Sequence, residues 1–221
     1  MGPTPTRVAR RLRGLYERTE GAVREWEGAG RALRAAAAAL ARALARLPVL
    51  AEGLERGGGA GGPGGGASGA PGWGSGGVLE ALGAKQVSAA GRLSARVMEE
   101  VSVRFEAAGE VRRCARAARD VLRAELPGKS LPAEGTPERQ RLRVGGGGLP
   151  SALEYLEGLE EARHMLENQA ELEAAVARRF CPGLPTADVA ELLEVLEEEP
   201  FVDWGRLRHL LDLGLVEVDD I

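Results

Sequence analysis

The first 55 residues carry the clearest hydrophobic pattern in the chain. Apolar positions recur there in alternating steps of four and three residues, which is the heptad spacing of a helix that buries one face against other helices. One row of the heptad is mostly large and the other is small, so a partner helix can approach closely. The pattern predicts a long helix over residues 7–55. Its interface positions are Leu12, Leu15, Trp26, Leu33, Leu40 and Leu47.

A second helical stripe follows from about Val78 to Leu126, where Pro127 and Gly128 end it. Between the two helices, residues 57–77 contain 13 glycines, a composition typical of a disordered linker. Residues 127–148 are rich in glycine and proline and predict a second flexible connection. The interface positions of the second helix are Leu93, Val97, Phe105 and Leu122.

The remaining region, residues 149–221, predicts three shorter helices. Ser151 and Glu154 form a capping box for the first of them, and Thr186 and Asp203 are N-cap candidates for the other two. No segment alternates like a strand. The chain is therefore predicted to be all-α, an elongated antiparallel helical bundle or coiled coil. It has three helical regions, residues 1–56, 78–126 and 149–221, joined by the two linkers.

Charge is distributed unevenly along these regions, although the net charge is only −4. Residues 1–56 hold 11 basic and 6 acidic side chains (+5), whereas residues 144–221 hold 5 and 18 (−13). A row of arginines at four-three-four spacing shares one face of the second helix. The row consists of Arg112, Arg116, Arg119 and Arg123. It predicts a solvated face or pairing with an acidic helix such as Glu194–Glu199, with RNA binding as an alternative.

Metal and nucleotide sites are not predicted. His164 and His209 each stand alone on a helix, without a second ligand at metal-binding spacing. The run Gly57–Gly62 satisfies a dinucleotide-binding pattern, but no strand precedes it. Gly128–Ser130 resembles the end of a phosphate-binding loop and follows a helix rather than a strand. We therefore expect no cofactor, no metal and no catalytic residue.

The two cysteines predict free thiols in a reducing compartment, with Cys114 buried beside the helix stripe. Cys181 lies in the Cys-Pro-Gly sequence that ends the third helix. The most apolar stretch, residues 35–50, is interrupted by Arg42 and Arg46, so no membrane partner is expected. Together these features favour a non-enzymatic protein that binds other proteins.

Several short patches also resemble a known family, and they occur in the family's order. They touch about half of the helical sequence: Tyr16 ten residues before Trp26, then Ala29 and Arg31; Leu82 with Lys85-Gln86; Leu153-Glu154-Tyr155-Leu156 with Leu159-Glu160; and Trp204-Gly205-Arg206-Leu207. In these patches the chain resembles the AIRIM family, small ribosome-maturation factors that bind a pair of type II AAA+ ATPases. The glycine-rich linker and the longer segment before Trp204 depart from that family.

The resemblance implies a cytoplasmic and nuclear adaptor without catalytic activity of its own. Its partners would be the AAA+ ATPase pair, a sister helical subunit (a cyclin-dependent-kinase-interacting protein) and, indirectly, the pre-ribosomal particle. The assembly would release and recycle a shuttling factor during large ribosomal subunit maturation and act in replication-linked protein turnover. Tyr155 and Trp204 join the arginine row as partner-binding candidates. An RNA-binding protein that uses the arginines and a generic coiled-coil tether are the alternatives.

Overall fold

A computed structural model of the chain describes residues 5–58, 75–125 and 152–215. These residues form five α-helices and no strand, which confirms the all-α prediction. The helices are α1 Pro5–Gly58, α2 Ser75–Glu125, α3 Ala152–Arg179, α4 Thr186–Glu198 and α5 Trp204–Leu215. Most of the predicted linker 57–77 and all of the predicted linker 127–148 lie outside the described residues.

The chain divides into two compact units. Unit 1 comprises Met1–Gly30, Ser102–Leu172 and Glu199–Ile221, and unit 2 comprises Arg31–Val101 and Glu173–Glu198. The three longest helices each contribute residues to both units, whereas α4 belongs to unit 2 and α5 to unit 1.

The core of unit 1 contains two clusters that lie between α1, α2 and α3. In the first cluster, the Tyr16 ring stands edge-on to Tyr155 with 5.3 Å between ring centroids, and its hydroxyl donates to the Tyr155 carbonyl oxygen at 2.8 Å. Burial raises the pKa of Tyr16 above its usual range, so the hydroxyl stays a donor. The second cluster surrounds Trp26 and includes Leu166 of α3 and Leu207 of α5. Large aromatic side chains thus fill the gaps that the alanine-rich helix faces leave.

Ion pairs fix the register of α2 against α3 in unit 1. Arg112 binds Glu167 and Arg119 binds Glu160, so the two helices run antiparallel. Arg163 joins both carboxylates at 2.9 Å and completes a five-membered network. Exposed pairs contribute little singly, but a network of this kind specifies one alignment. The acidic partner of the arginine row is therefore α3, and the suggestion of Glu194–Glu199 was wrong.

Unit 2 is built from alanine-rich stretches of α1 and α2 with the end of α3 and all of α4. Leu33 and Leu40 of α1 and Val97 of α2 are buried, as are Leu192 and Leu196 of α4. The side-chain amide of Gln86 donates to the Ala43 carbonyl oxygen at 3.0 Å, which sets the register between α1 and α2. Ala36 and Ala43 of the small row of the heptad are buried as well, and small residues at such positions let two helices approach closely.

The sequence signals at helix ends act as expected in two places. The carboxylate of Asp203 accepts a hydrogen bond from the Arg206 backbone N–H at 2.8 Å and so caps α5. After α3, the Leu184 N–H donates to the Cys181 carbonyl oxygen at 3.3 Å, while Gly183 has φ +85°. Pro182 followed by a glycine with positive φ is typical of a type II turn.

Most predicted interface residues lie inside the units. Leu12, Leu15, Trp26, Leu33, Leu40, Val97 and Leu122 are buried, and Leu47 and Leu93 are half-buried. Phe105 is the exception, because its side chain is 43% exposed. The inward position of that turn belongs to Arg104, which is buried, and the neighbouring residue on the helix consequently points to solvent.

Candidate protein-binding site

The most unusual polar contact in the described residues is a buried ion pair in unit 1. The Arg104 side chain is 1% exposed, and both of its terminal nitrogens donate to Glu199 Oε1, at 2.9 and 2.8 Å. Its guanidinium carbon lies 3.9 Å from the centre of the Trp26 ring, a cation–π contact. Burying two charges requires close pairing of this kind, since desolvation of each ion is expensive.

Glu199 follows the last residue of α4 and adopts a backbone conformation that non-glycine residues rarely populate. Its φ is +45°, and it is the one described residue other than glycine with positive φ. Its second carboxylate oxygen accepts the indole N–H of Trp204 at 2.8 Å. Such a conformation costs on the order of 1–3 kcal/mol and persists only where surrounding contacts impose it. The contacts from Arg104 and Trp204 supply that constraint.

The short segment from Glu199 to Asp203, which we call the loop 199–203, is fixed by its own backbone as well. The Phe201 N–H donates at 3.2 Å to the side-chain oxygen of Gln169, a fully buried residue of α3. The Val202 N–H donates to the Glu199 carbonyl oxygen at 2.9 Å, and the Val202 side chain is buried. Nearly every residue of the loop is therefore held by the core of unit 1.

Phe201 is the exposed side chain that this arrangement presents. It is 48% exposed although it lies between the buried residues Glu199 and Val202. A large aromatic side chain on a preorganised backbone loses little conformational freedom on binding, and aromatic residues dominate the energetics of protein interfaces. The geometry can thus serve as an anchor for a partner protein.

The sequence-predicted partner residues fall into different environments. Tyr155, a partner-binding candidate, is instead buried in the first cluster of unit 1, where its ring packs against Tyr16. Trp204 is half-buried and lines a shallow groove between α1 and α5, about 300 Å³ in volume, with Val23 and Leu207. Arg112 and Arg119 are paired with α3. Arg116 and Arg123 of the arginine row are exposed and make no ion pair with any described residue.

Sequence reasoning missed the burial of Arg104 and the backbone conformation of Glu199. In the pattern of α2, positions 104 and 105 both fit the step from Val101 to Ala108, and hydrophobicity alone favours Phe105. Glu199 was read as part of an acidic cluster, and nothing in the sequence marks a glutamate for positive φ. The one available signal was Pro200, which ends α4 and brings the chain to a turn.

Cys114 is buried in unit 1, as expected, whereas Cys181 is exposed. Burial raises the pKa of the Cys114 thiol, and the raised pKa lowers the thiolate fraction at neutral pH. We expect a chromogenic disulfide reagent to label one thiol rapidly and the second only after unfolding. The Cys181→Ser variant should lose the rapid phase. Two rapid equivalents in the folded wild-type protein would contradict the burial of Cys114.

The parts of the chain that the structure describes contain no group of three or more side chains placed to hold a metal ion. None of the described helices has a stretch apolar enough, over a sufficient length, to cross a bilayer. Comparison of the chain with models of known protein families, with characterised proteins and with solved structures finds no match.

Proposed function

We propose that the chain is a non-catalytic adaptor subunit of a AAA+ ATPase assembly that acts in large ribosomal subunit maturation. The observation that carries the adaptor function is the loop 199–203, which a buried ion pair holds in a strained conformation with Phe201 exposed. A segment that is already held in its binding conformation loses little conformational entropy on association, and this raises the affinity of an interface.

The assignment to an ATPase assembly rests on the patches that resemble the AIRIM family. Four aromatic residues from three of these patches all belong to unit 1: Tyr16, Trp26, Tyr155 and Trp204. Trp204 directly contacts the residue that begins the loop 199–203. The surface formed by Trp204 and the loop 199–203 would therefore contact the ATPase pair or the sister helical subunit. The assembly would work in the cytoplasm and nucleus, in the recycling of a shuttling factor and in replication-linked protein turnover.

The test is affinity purification of the tagged protein from its own cells, with quantitative mass spectrometry of the bound proteins. The wild-type chain should recover two AAA+ ATPases and a helical sister subunit in near-stoichiometric amounts. Phe201→Asp should weaken binding of at least one of them by about 30-fold or more, since a central aromatic anchor contributes about 2 kcal/mol.

Phe105→Asp is the matched control, because Phe105 is the other exposed phenylalanine of unit 1 and has a similar exposed fraction. It should leave recovery unchanged, and both variants should retain wild-type helicity by circular dichroism. Absence of the ATPases from the wild-type sample would contradict the assignment to such an assembly. Equal recovery by Phe201→Asp would show that the loop 199–203 is not the anchor.

A further inference from the structure

The groove between α1 and α5 in unit 1 has an apolar floor. Val23 of α1 and Leu207 of α5 are buried at its base, and the half-buried side chains of Trp204 and Leu211 line it along α5. Its volume of about 300 Å³ is at the lower end for small-molecule sites. A shallow groove of this size fits a few side chains of another protein segment better than a whole small molecule.

The two helices run antiparallel along the groove. Arg206 of α5 pairs with Glu161 of α3, and Leu210 lies beside Gly158, so α5 runs antiparallel to α3. The first core cluster of unit 1 joins the earlier turns of α1 and α3, and the second joins their later turns, so these two helices are parallel. The start of α5 therefore lies at the level of Glu27 on α1.

Charged side chains line both rims of the groove: Glu27, Arg24 and Glu20 on α1, and Arg208 and Asp212 on α5. Because the helices are antiparallel, Glu27 lies at the level where α5 begins. The two arginines share the next level, and Glu20 and Asp212 share the third. Arg208 and Asp212 are four residues apart, so these levels are about 6 Å apart. The rims are thus acidic, basic and acidic along the groove.

Each level has a charge that makes no ion pair with any described residue: Glu27, Arg208 and Asp212. Glu20 and Arg24 bind each other, in an exposed pair of a kind that contributes little to stability. Glu27 is half-buried, so its carboxylate is partly desolvated, and a cation from another molecule would offset that cost. All three levels can therefore accept a side chain of opposite charge.

We propose that the groove binds a helix of a partner protein that presents a basic, an acidic and a basic side chain, four residues apart. A helix lying along the groove has the same repeat as α5, so these side chains meet the three levels in turn. Apolar side chains between them cover the floor. Trp204 joins the groove to the loop 199–203, and the inference rests on the protein-binding function proposed above. Charge complementarity of this kind selects one partner over others.

Fluorescence anisotropy of labelled synthetic helices with the purified full-length protein tests the proposal. The matching peptide carries lysine, glutamate and lysine at four-residue spacing, with leucine directly before the second and third charges. The inverted peptide carries glutamate, lysine and glutamate instead. The wild-type chain should bind the matching peptide with a Kd on the order of 10 μM and the inverted peptide about 10-fold more weakly. The variant Glu27→Arg/Arg208→Glu/Asp212→Arg should reverse this preference.

Glu25→Arg and Arg11→Glu are the matched controls. Both residues are exposed on α1 in unit 1, and neither lines the groove. Each control should prefer the matching peptide as the wild type does. All variants should retain wild-type helicity by circular dichroism, since the changed side chains lie on the surface or on the rim of the groove.

A wild-type chain that binds neither peptide, or binds both equally, would overturn the proposal, and so would a triple variant that still prefers the matching peptide. Tighter binding of a peptide with lysine at all three positions would disprove the charge order. Equal binding of a matching peptide interrupted by a central proline would assign the groove to an extended segment instead of a helix. The proposed function is decided separately, by the proteins recovered from cells and by Phe201→Asp, so the two proposals can fail independently.

Discussion

Replacing Arg104 with methionine is expected to destabilise the protein by about 3–5 kcal/mol, the usual loss when one partner of a buried ion pair is removed. The substitution leaves the buried carboxylate of Glu199 without the two hydrogen bonds from Arg104. It also removes the cation that lies over the Trp26 ring. Urea unfolding followed by tryptophan fluorescence measures the loss, because Trp26 and Trp204 both lie in this cluster.

Arg116→Met is the matched control for that experiment. Arg116 lies on the same helix and in the same unit, but it is exposed and makes no ion pair with any described residue, so the change should stay within about 0.5 kcal/mol. The double variant Arg104→Met/Glu199→Gln should be more stable than additivity of the two single losses predicts, since neither buried charge then lacks its partner. Additive losses would show that Arg104 and Glu199 do not act as a pair.

The same substitution should weaken partner binding more than its effect on stability explains. Without Arg104, Glu199 loses both hydrogen bonds from the guanidinium that help to hold its strained backbone conformation. The loop 199–203 would then relax toward ordinary backbone conformations, and Phe201 would have to be ordered again on binding. This connection between core and surface is why we regard the ion pair as part of the binding site.

The long helices could be predicted from the sequence because their signal is local and repeated. A heptad pattern needs only the order of residues in one helix, and the buried positions Leu12, Leu33 and Leu40 follow from it directly. The shorter C-terminal helices could also be predicted, because Asp203 marks the start of α5 and the Cys181–Gly183 turn marks the end of α3.

The candidate site could not be predicted from local sequence patterns, because it depends on which helices pack together and in which register. The arginine row could pair with any acidic helix, and the register between α2 and α3 selects Glu160 and Glu167. Arg104 and Glu199 are 95 residues apart in sequence. Their pairing follows from packing rather than from any pattern near either residue, and it also determines which of two adjacent positions on α2 faces inward.

Two glycines of α1 give a second test of the packing around Arg104 and Glu199. Replacing each with alanine is expected to change the stability of the protein in opposite directions. A glycine inside a helix destabilises it by about 1 kcal/mol relative to alanine. At Gly28 an added Cβ would meet nothing within 4 Å, so Gly28→Ala should stabilise the protein by about that amount. At Gly30 the added Cβ would overlap the Arg104 terminal nitrogen and lie 3.1 Å from its guanidinium carbon and 3.3 Å from Glu199 Oε1.

Gly30→Ala should therefore destabilise the protein by about 2–4 kcal/mol, the loss of the ion pair less the gain in helix propensity. Arg104 is buried beneath Trp26 and cannot move its end group aside without leaving Glu199. Methionine is too short to reach the position of the guanidinium. In a protein that already carries Arg104→Met, Gly30→Ala should therefore no longer lower the free energy of unfolding. Urea unfolding of the four variants measures this coupling. If Gly30→Ala were as stabilising as Gly28→Ala, the close approach of Arg104 to α1 would be disproved, and with it the constraint on the loop 199–203.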